Sequence, residues 1–141
     1  MWRQDYDHRL AQWTLLRQHC KTLPEQAALE AINQFWFATP WCAYHLHWDD
    51  SKDWPDPWQL LHDNLFCPVA RALGIMYTIA MLDRPDIQQA IMIEYLGDNL
   101  VLVNQEKYIL NWDPDQIVNI SLDTKKVRRK INQEQIKQKI R

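Results

Sequence analysis

The residue best suited to covalent chemistry is Cys67. It stands directly before Pro68, and proline fits the first turn of a helix because its missing N–H costs nothing there. The thiol is therefore predicted at a helix N-terminus, where the dipole favours a thiolate. An ordinary thiol, with a pKa near 8.5, still needs a base to become a good nucleophile. No histidine follows His62, and His62 itself precedes Cys67 by five residues, so it reaches the sulfur only if the intervening loop folds back. Without that partner Cys67 is expected to be a buried, inert core thiol, the usual state of a free cysteine. The alternative is a thiol hydrolase, an amidase or peptidase, in which His62 or His45 serves Cys67.

A second candidate is the run His45-Leu46-His47-Trp48-Asp49-Asp50. Alternate histidines on one strand face, with carboxylates nearby, are a donor set for a divalent metal. The run resembles the HxHxDH loop of the metallo-β-lactamase fold, but Asp50 stands where that loop ends in histidine, and the further histidines the fold needs downstream are missing. No metal and no cofactor are expected, and the two histidines read as solvent-facing. The three cysteines, Cys20, Cys42 and Cys67, are odd in number and irregularly spaced, which encodes neither a disulfide framework nor a zinc site and suits reduced thiols in a cytosolic setting.

Binding chemistry is better represented than catalysis. Eight tryptophans against two glycines make a rigid, aromatic chain, and tryptophan is enriched both in cores and at interface hot spots. Trp48, Trp54, Trp58 and Trp112 are interleaved with Asp49, Asp50, Asp53, Asp56 and Asp113, an acidic aromatic rim that repels phosphate and suits a protein partner. The formal net charge of −2 hides an asymmetry: residues 125–141 hold eight basic residues and one acid, the rest eight basic residues and seventeen acids. Val127, Ile131, Ile136 and Ile140 recur at helical spacing, with Arg128, Arg129, Lys130 and Lys137 around them, so residues 124–141 are expected to form a basic amphipathic helix outside a domain of residues 1–123. Such a helix is too apolar-poor to be stable alone, so it is expected to dock in an acidic-rimmed groove of another protein. Nucleic acid is disfavoured because no aromatics are interleaved with these basic residues.

The elements that position these groups follow from periodicity. Residues 2–20 and 25–39 read as amphipathic helices, 43–48 as a short strand, Asp56-Pro57 as a capped helix start, and 69–82 as a buried helix, apolar on nearly every side except Arg71. From residue 86 the period becomes that of strands, at 87–96, 100–103, 107–112 and 117–122, separated by turn residues. The expected class is α+β, with N-terminal helices and the Cys67 helix packed on an antiparallel meander sheet. The longest apolar stretch, residues 72–82, is shorter than the roughly 18 residues a bilayer span needs, and residues 1–5 lack the apolar core of a secretory signal. No membrane association is expected.

Two resemblances add to this reading. Asp56-Pro57-Trp58, the Cys67 helix, and the strands at Leu100-Val101-Leu102-Val103 and Tyr108-Ile109-Leu110-Asn111 resemble, in order, the nucleophile helix, histidine strand and aspartate strand of the transglutaminase-like branch of the papain-type cysteine fold. The departures are pointed: Leu65-Phe66 replaces Gly-Asp before the cysteine, Asp98-Asn99 stands where the base belongs, and Asn111 where the orienting aspartate belongs. The patterns WPxPWxLL at residues 54–61, the cysteine-bearing ALGxxYT helix at 67–78, LVxV at 100–103 and YxLNW at 108–112 are similar to small structural proteins of T4-like tailed phages, especially those infecting cyanobacteria. Together they imply a degenerate cysteine domain reused as a virion part of baseplate, neck or tail, found in the virion or the host cytoplasm, with other proteins of the assembly as partners.

Overall fold

The computed structural model describes residues 2–43, 45–87 and 89–140. Four helices lead the chain: α1 (Tyr6–Cys20), α2 (Glu25–Phe37), α3 (Pro57–Asp63) and α4 (Pro68–Leu82). Side-chain caps set two of the starts, since Asp5 accepts from the His8 N–H at 3.0 Å and Asp56 from the Gln59 N–H at 2.8 Å. Four strands follow, β1 (Ala90–Tyr95), β2 (Asp98–Val103), β3 (Tyr108–Leu110) and β4 (Val127–Asn132), and a short helix α5 (Gln133–Lys137) comes after them. The sheet is antiparallel in the order β3-β2-β1-β4. The class is α+β, as expected, with the Cys67-led helix α4 packed on the sheet.

Helix α4 is the centre of the core because it carries almost nothing polar. Eleven of its fifteen residues are buried, and α1, α2 and α5 cover the sides that the sheet leaves open. Gly74 is required where α2 crosses: a Cβ built there would lie 2.6 Å from the Trp36 ring. One turn on, the fully buried Thr78 hydroxyl accepts from the Trp13 and Trp36 indole N–H groups, each at 2.9 Å, and donates to the Gly74 carbonyl at 2.7 Å. Alternation along the strands sends Met92, Val101 and Leu110 toward α4. It sends Ile93, Leu100, Leu102 and Ile109 to the far face, where Ile120, Leu122 and Val127 pack over them.

Three expectations fail. Residues 45–47 form no strand but an irregular approach to a 3-10 turn at Trp48–Asp53; Tyr44 lies outside the described residues. No strand forms at 117–122 either. Ile117 accepts one backbone hydrogen bond from Ile109 at 2.8 Å, and Asn119 then turns left-handed at φ 61°, ending the extended run. The largest correction concerns residues 124–141. They are not one basic helix outside the domain: β4 pairs with β1 along Ile91–Asn132 to Tyr95–Val127, and Ile131 and Ile136 are buried in the same core as α4. The reason is local. Asn132 and Gln135 form a reciprocal capping box that starts α5 at residue 133, which separates the aliphatics into a strand set and a helix set.

With two glycines in the chain, left-handed backbone falls to other residues. Asn and Asp take most such positions, including the helix ends at Asn64 (φ 54°) and Asp83 (φ 55°), as their short polar side chains allow. Leu96 is an exception, at φ 49° before Gly97 at φ 87° in the β1–β2 turn, and it is 62 % exposed. A two-residue turn with both φ values positive favours Asn-Gly. Leu96→Asn is expected to raise stability by about 1 kcal/mol, read as a higher urea midpoint at unchanged slope; an unchanged or lower midpoint would show that Leu96 makes up the strain elsewhere.

Candidate functional site

Sheet register builds a polar row beyond the apolar one beneath α4. Arg129 on β4 lies opposite Glu94 on β1, and Glu94 opposite Asn99 on β2. Asn111, just past β3, continues the row by donating its Nδ2 to the Asn99 carbonyl at 2.6 Å. The N-terminus of α4 sits over this row, since the same Nδ2 reaches the Pro68 carbonyl at 3.1 Å. Between them opens a cleft of about 290 Å³, lined among others by His47, Trp48, Cys67, Glu94, Asn99 and Arg129.

Cys67 is the N-cap residue of α4 and is 2 % exposed. Among the described residues its sulfur hydrogen-bonds to the Leu46 backbone alone, accepting from the N–H at 3.4 Å and lying 4.0 Å from the carbonyl. The structure does not bring His62 to it. That imidazole packs on Tyr6 with ring centroids 5.5 Å apart, and its side chain is 67 % exposed. His45 is half-buried on the approach segment. His47, expected to face solvent, is half-buried and lines the Cys67 cleft, and its carbonyl accepts from the Trp54 indole at 2.6 Å. Among the described residues no three His, Cys, Asp or Glu side chains gather closely enough to hold a metal ion.

Asn99 and Asn111 lie beside the start of α4 as fixed scaffold. Asn99 Oδ1 accepts from the Trp48 indole at 2.6 Å. The Asn111 N–H donates to Asn33 Oδ1 at 2.9 Å, and Asn33 in turn ties to the Asp113 carbonyl at 2.7 Å. Of the other thiols, Cys20 is pushed up to about 11 by burial, and Cys42 is half-buried in the approach segment.

The residues assigned to partner binding divide. Trp54 is core, 6 % exposed, and holds Trp48 edge-on at 5.6 Å; Trp58 is half-buried on α3, and Trp112 is 48 % exposed. Ile131 and Ile136 are buried, Val127 and Ile140 half-buried against the two apolar clusters. The acidic rim expected of a partner belongs to this chain: Arg129 Nη1 meets Asp49 at 2.8 Å and its Nε meets Glu94 at 4.0 Å, while Lys139 donates to the Ser51 carbonyl and lies over the Trp54 ring. Arg128 and Lys130 remain exposed on β4, and Lys137 lies 3.9 Å from Glu134. Two surface residues went unremarked in the partner reading, Trp41 at 63 % exposure and Arg71 over its ring. Arg71 was the one polar break in the α4 pattern, which is the signal that marks it.

Comparisons with protein-family models, with curated proteins and with solved structures return no match. Among the described residues no helix is long and apolar enough to cross a membrane.

Proposed function

We propose that this chain is a non-catalytic assembly protein, a cysteine-domain scaffold retained for its shape, and that it serves as a tailed-phage virion part of baseplate, neck or tail. One observation carries the non-catalytic reading. Where a thiol enzyme of the transglutaminase type holds an imidazole and a carboxylate, Asn99 and Asn111 stand, both committed to Trp48, Pro68 and Asn33 by hydrogen bonds. A carboxamide has no site that accepts a proton near neutral pH, so the thiol lacks the factor of roughly 10² to 10⁴ that a general base supplies. The virion setting is supported by the sequence patterns at residues 54–61, 67–78, 100–103 and 108–112.

The second reading, a thiol hydrolase, is favoured by the presence of His47 in the cleft. Alkylation of the native protein separates them. Half-buried Cys42 is expected to react with iodoacetamide well before Cys67 and Cys20, both of which should label only as denaturant unfolds the chain. Cys67→Ser should then leave incorporation into the assembly unchanged. Rapid labelling of Cys67 at neutral pH, slowed by His47→Ala, would instead establish a thiol–imidazole pair and end the non-catalytic reading.

A further inference from the structure

Among the described residues, and apart from the polar row beneath Cys67, where Asn111 Oδ1 alone is enclosed without a partner, helix α4 carries a cation that meets no anion. Arg71 is the one charged residue of α4. Its guanidinium lies over the Phe37 ring, 4.5 Å from the centroid, with the Trp41 ring at 5.7 Å. Among the described residues no carboxylate meets it, whereas Arg84, Lys107 and Arg129 each have one. Its Nε–H is enclosed without an acceptor, while the two Nη groups are neither enclosed nor hydrogen-bonded. The end of the fork is thus left as the open donor set. Arg17, stacked in the same way on Trp13 at 4.2 Å, differs in having the Thr14 hydroxyl at 3.3 Å.

The frame around Arg71 is apolar and exposed. Trp41 is 63 % exposed, and Leu65, 44 % exposed, precedes Phe66, the residue that bridges to Trp41. Tryptophan and arginine side by side in an apolar ring are the composition of an interface hot spot, where the surround excludes water from a central polar contact. Planar stacking fixes the fork, and a fixed fork matches a carboxylate better than a flexible ammonium does. A polyanion is disfavoured, because residues 1–124 carry seventeen acids against eight basic residues, a field that repels a phosphate chain but tolerates one carboxylate in a local pocket.

We propose that Arg71, framed by Phe37 and Trp41, docks an aspartate or glutamate of a neighbouring protein end-on through its Nη groups, with Trp41 and Leu65 covering an apolar residue beside that carboxylate. The inference rests on the assembly reading and deepens it by naming the chemistry of the partner's anchor.

The test follows the Arg71 Nε–Hε and Trp41 indole NMR signals of the full chain. The probe is a blocked pentapeptide with one glutamate between two leucines, set against its glutamine counterpart. Saturable shifts of both signals are expected with the glutamate peptide, and binding roughly tenfold or more weaker with the glutamine peptide. Arg71→Gln should abolish the shift at Trp41, Arg71→Lys should not restore it, and the exposed Trp41→Ala, a variant with little reason to misfold, should weaken binding as well. Equal binding of both peptides, or binding that survives Arg71→Gln, overturns the proposal. Inorganic phosphate reproducing the shifts at the same concentration overturns it in favour of a small-anion site, and an Arg71-dependent dimer in sedimentation overturns it in favour of a second copy. Failure here leaves Cys67 slow to alkylate, so it is distinguishable from failure of the non-catalytic reading, which shows in that labelling whatever the peptide does.

Discussion

Thr78→Val is expected to destabilise the protein by about 2–6 kcal/mol, although the two side chains have nearly the same shape. The Thr78 hydroxyl uses its whole capacity, one donor and two acceptor lone pairs, on Gly74, Trp13 and Trp36. Valine leaves two indole N–H groups without acceptors where both tryptophans and the residue itself are buried. Each orphaned buried donor costs about 1–3 kcal/mol. Thr78→Ser keeps the hydroxyl and loses one methyl, for about 1 kcal/mol. Urea unfolding followed by tryptophan fluorescence should rank wild type, Ser and Val in that order; a valine variant as stable as the serine one would show that the indoles find other acceptors.

Deleting residues 127–141 is the second large effect. The deletion removes β4 from the edge of β1 and exposes the surfaces that Ile131 and Ile136 cover. Burying an isoleucine contributes about 1.5–3 kcal/mol, so these two account for roughly 3–6 kcal/mol, a large share of the 5–15 kcal/mol typical of a domain. The ladder hydrogen bonds and the Arg129–Asp49 contact go as well. The shortened chain is expected to lose its cooperative thermal transition in far-UV circular dichroism. A sharp transition within a few degrees of the intact protein's would restore the segment to the status of a detachable tail.

That reversal shows where the sequence is legible and where it is not. The α4 helix was readable from its apolar period and the proline at its start, the α3 start from the Asp56 cap and Pro57, and the β1–β2 hairpin from its strand period and Gly97. The C-terminal segment is ambiguous by spacing. Val127 and Ile131 are four apart, which fits a helix, yet 127, 129 and 131 also alternate, and Arg129 disguises the pattern because its charged head is met by Asp49 and Glu94. The decisive local signal was Asn132-x-x-Gln135, a helix start in the middle of the supposed helix. At the site, Asn99 lines one cleft with Cys67, and Asn111 ties the Asn99 carbonyl to the Pro68 carbonyl. Nothing in the spacing could place His47 in their cleft, because the approach segment is irregular and its path is set by tertiary bonds such as Cys42 N–H to the Phe66 carbonyl at 2.8 Å.

The strand order also sets a clock. Strand β1 is made well before β4, and thirty-one residues separate their pairing ends, Tyr95 and Val127. While a ribosome traverses that interval, β1 offers an open edge carrying Ile91 and Ile93, the kind of unpaired apolar strand that recruits other chains. A nascent or broken chain that stops short of residue 132 therefore remains sticky and open to proteolysis. Only a chain read through β4 covers that apolar edge, and it then ends the sheet on a strand whose outward residues include the exposed Arg128 and Lys130, charges of the kind that discourage edge-to-edge pairing.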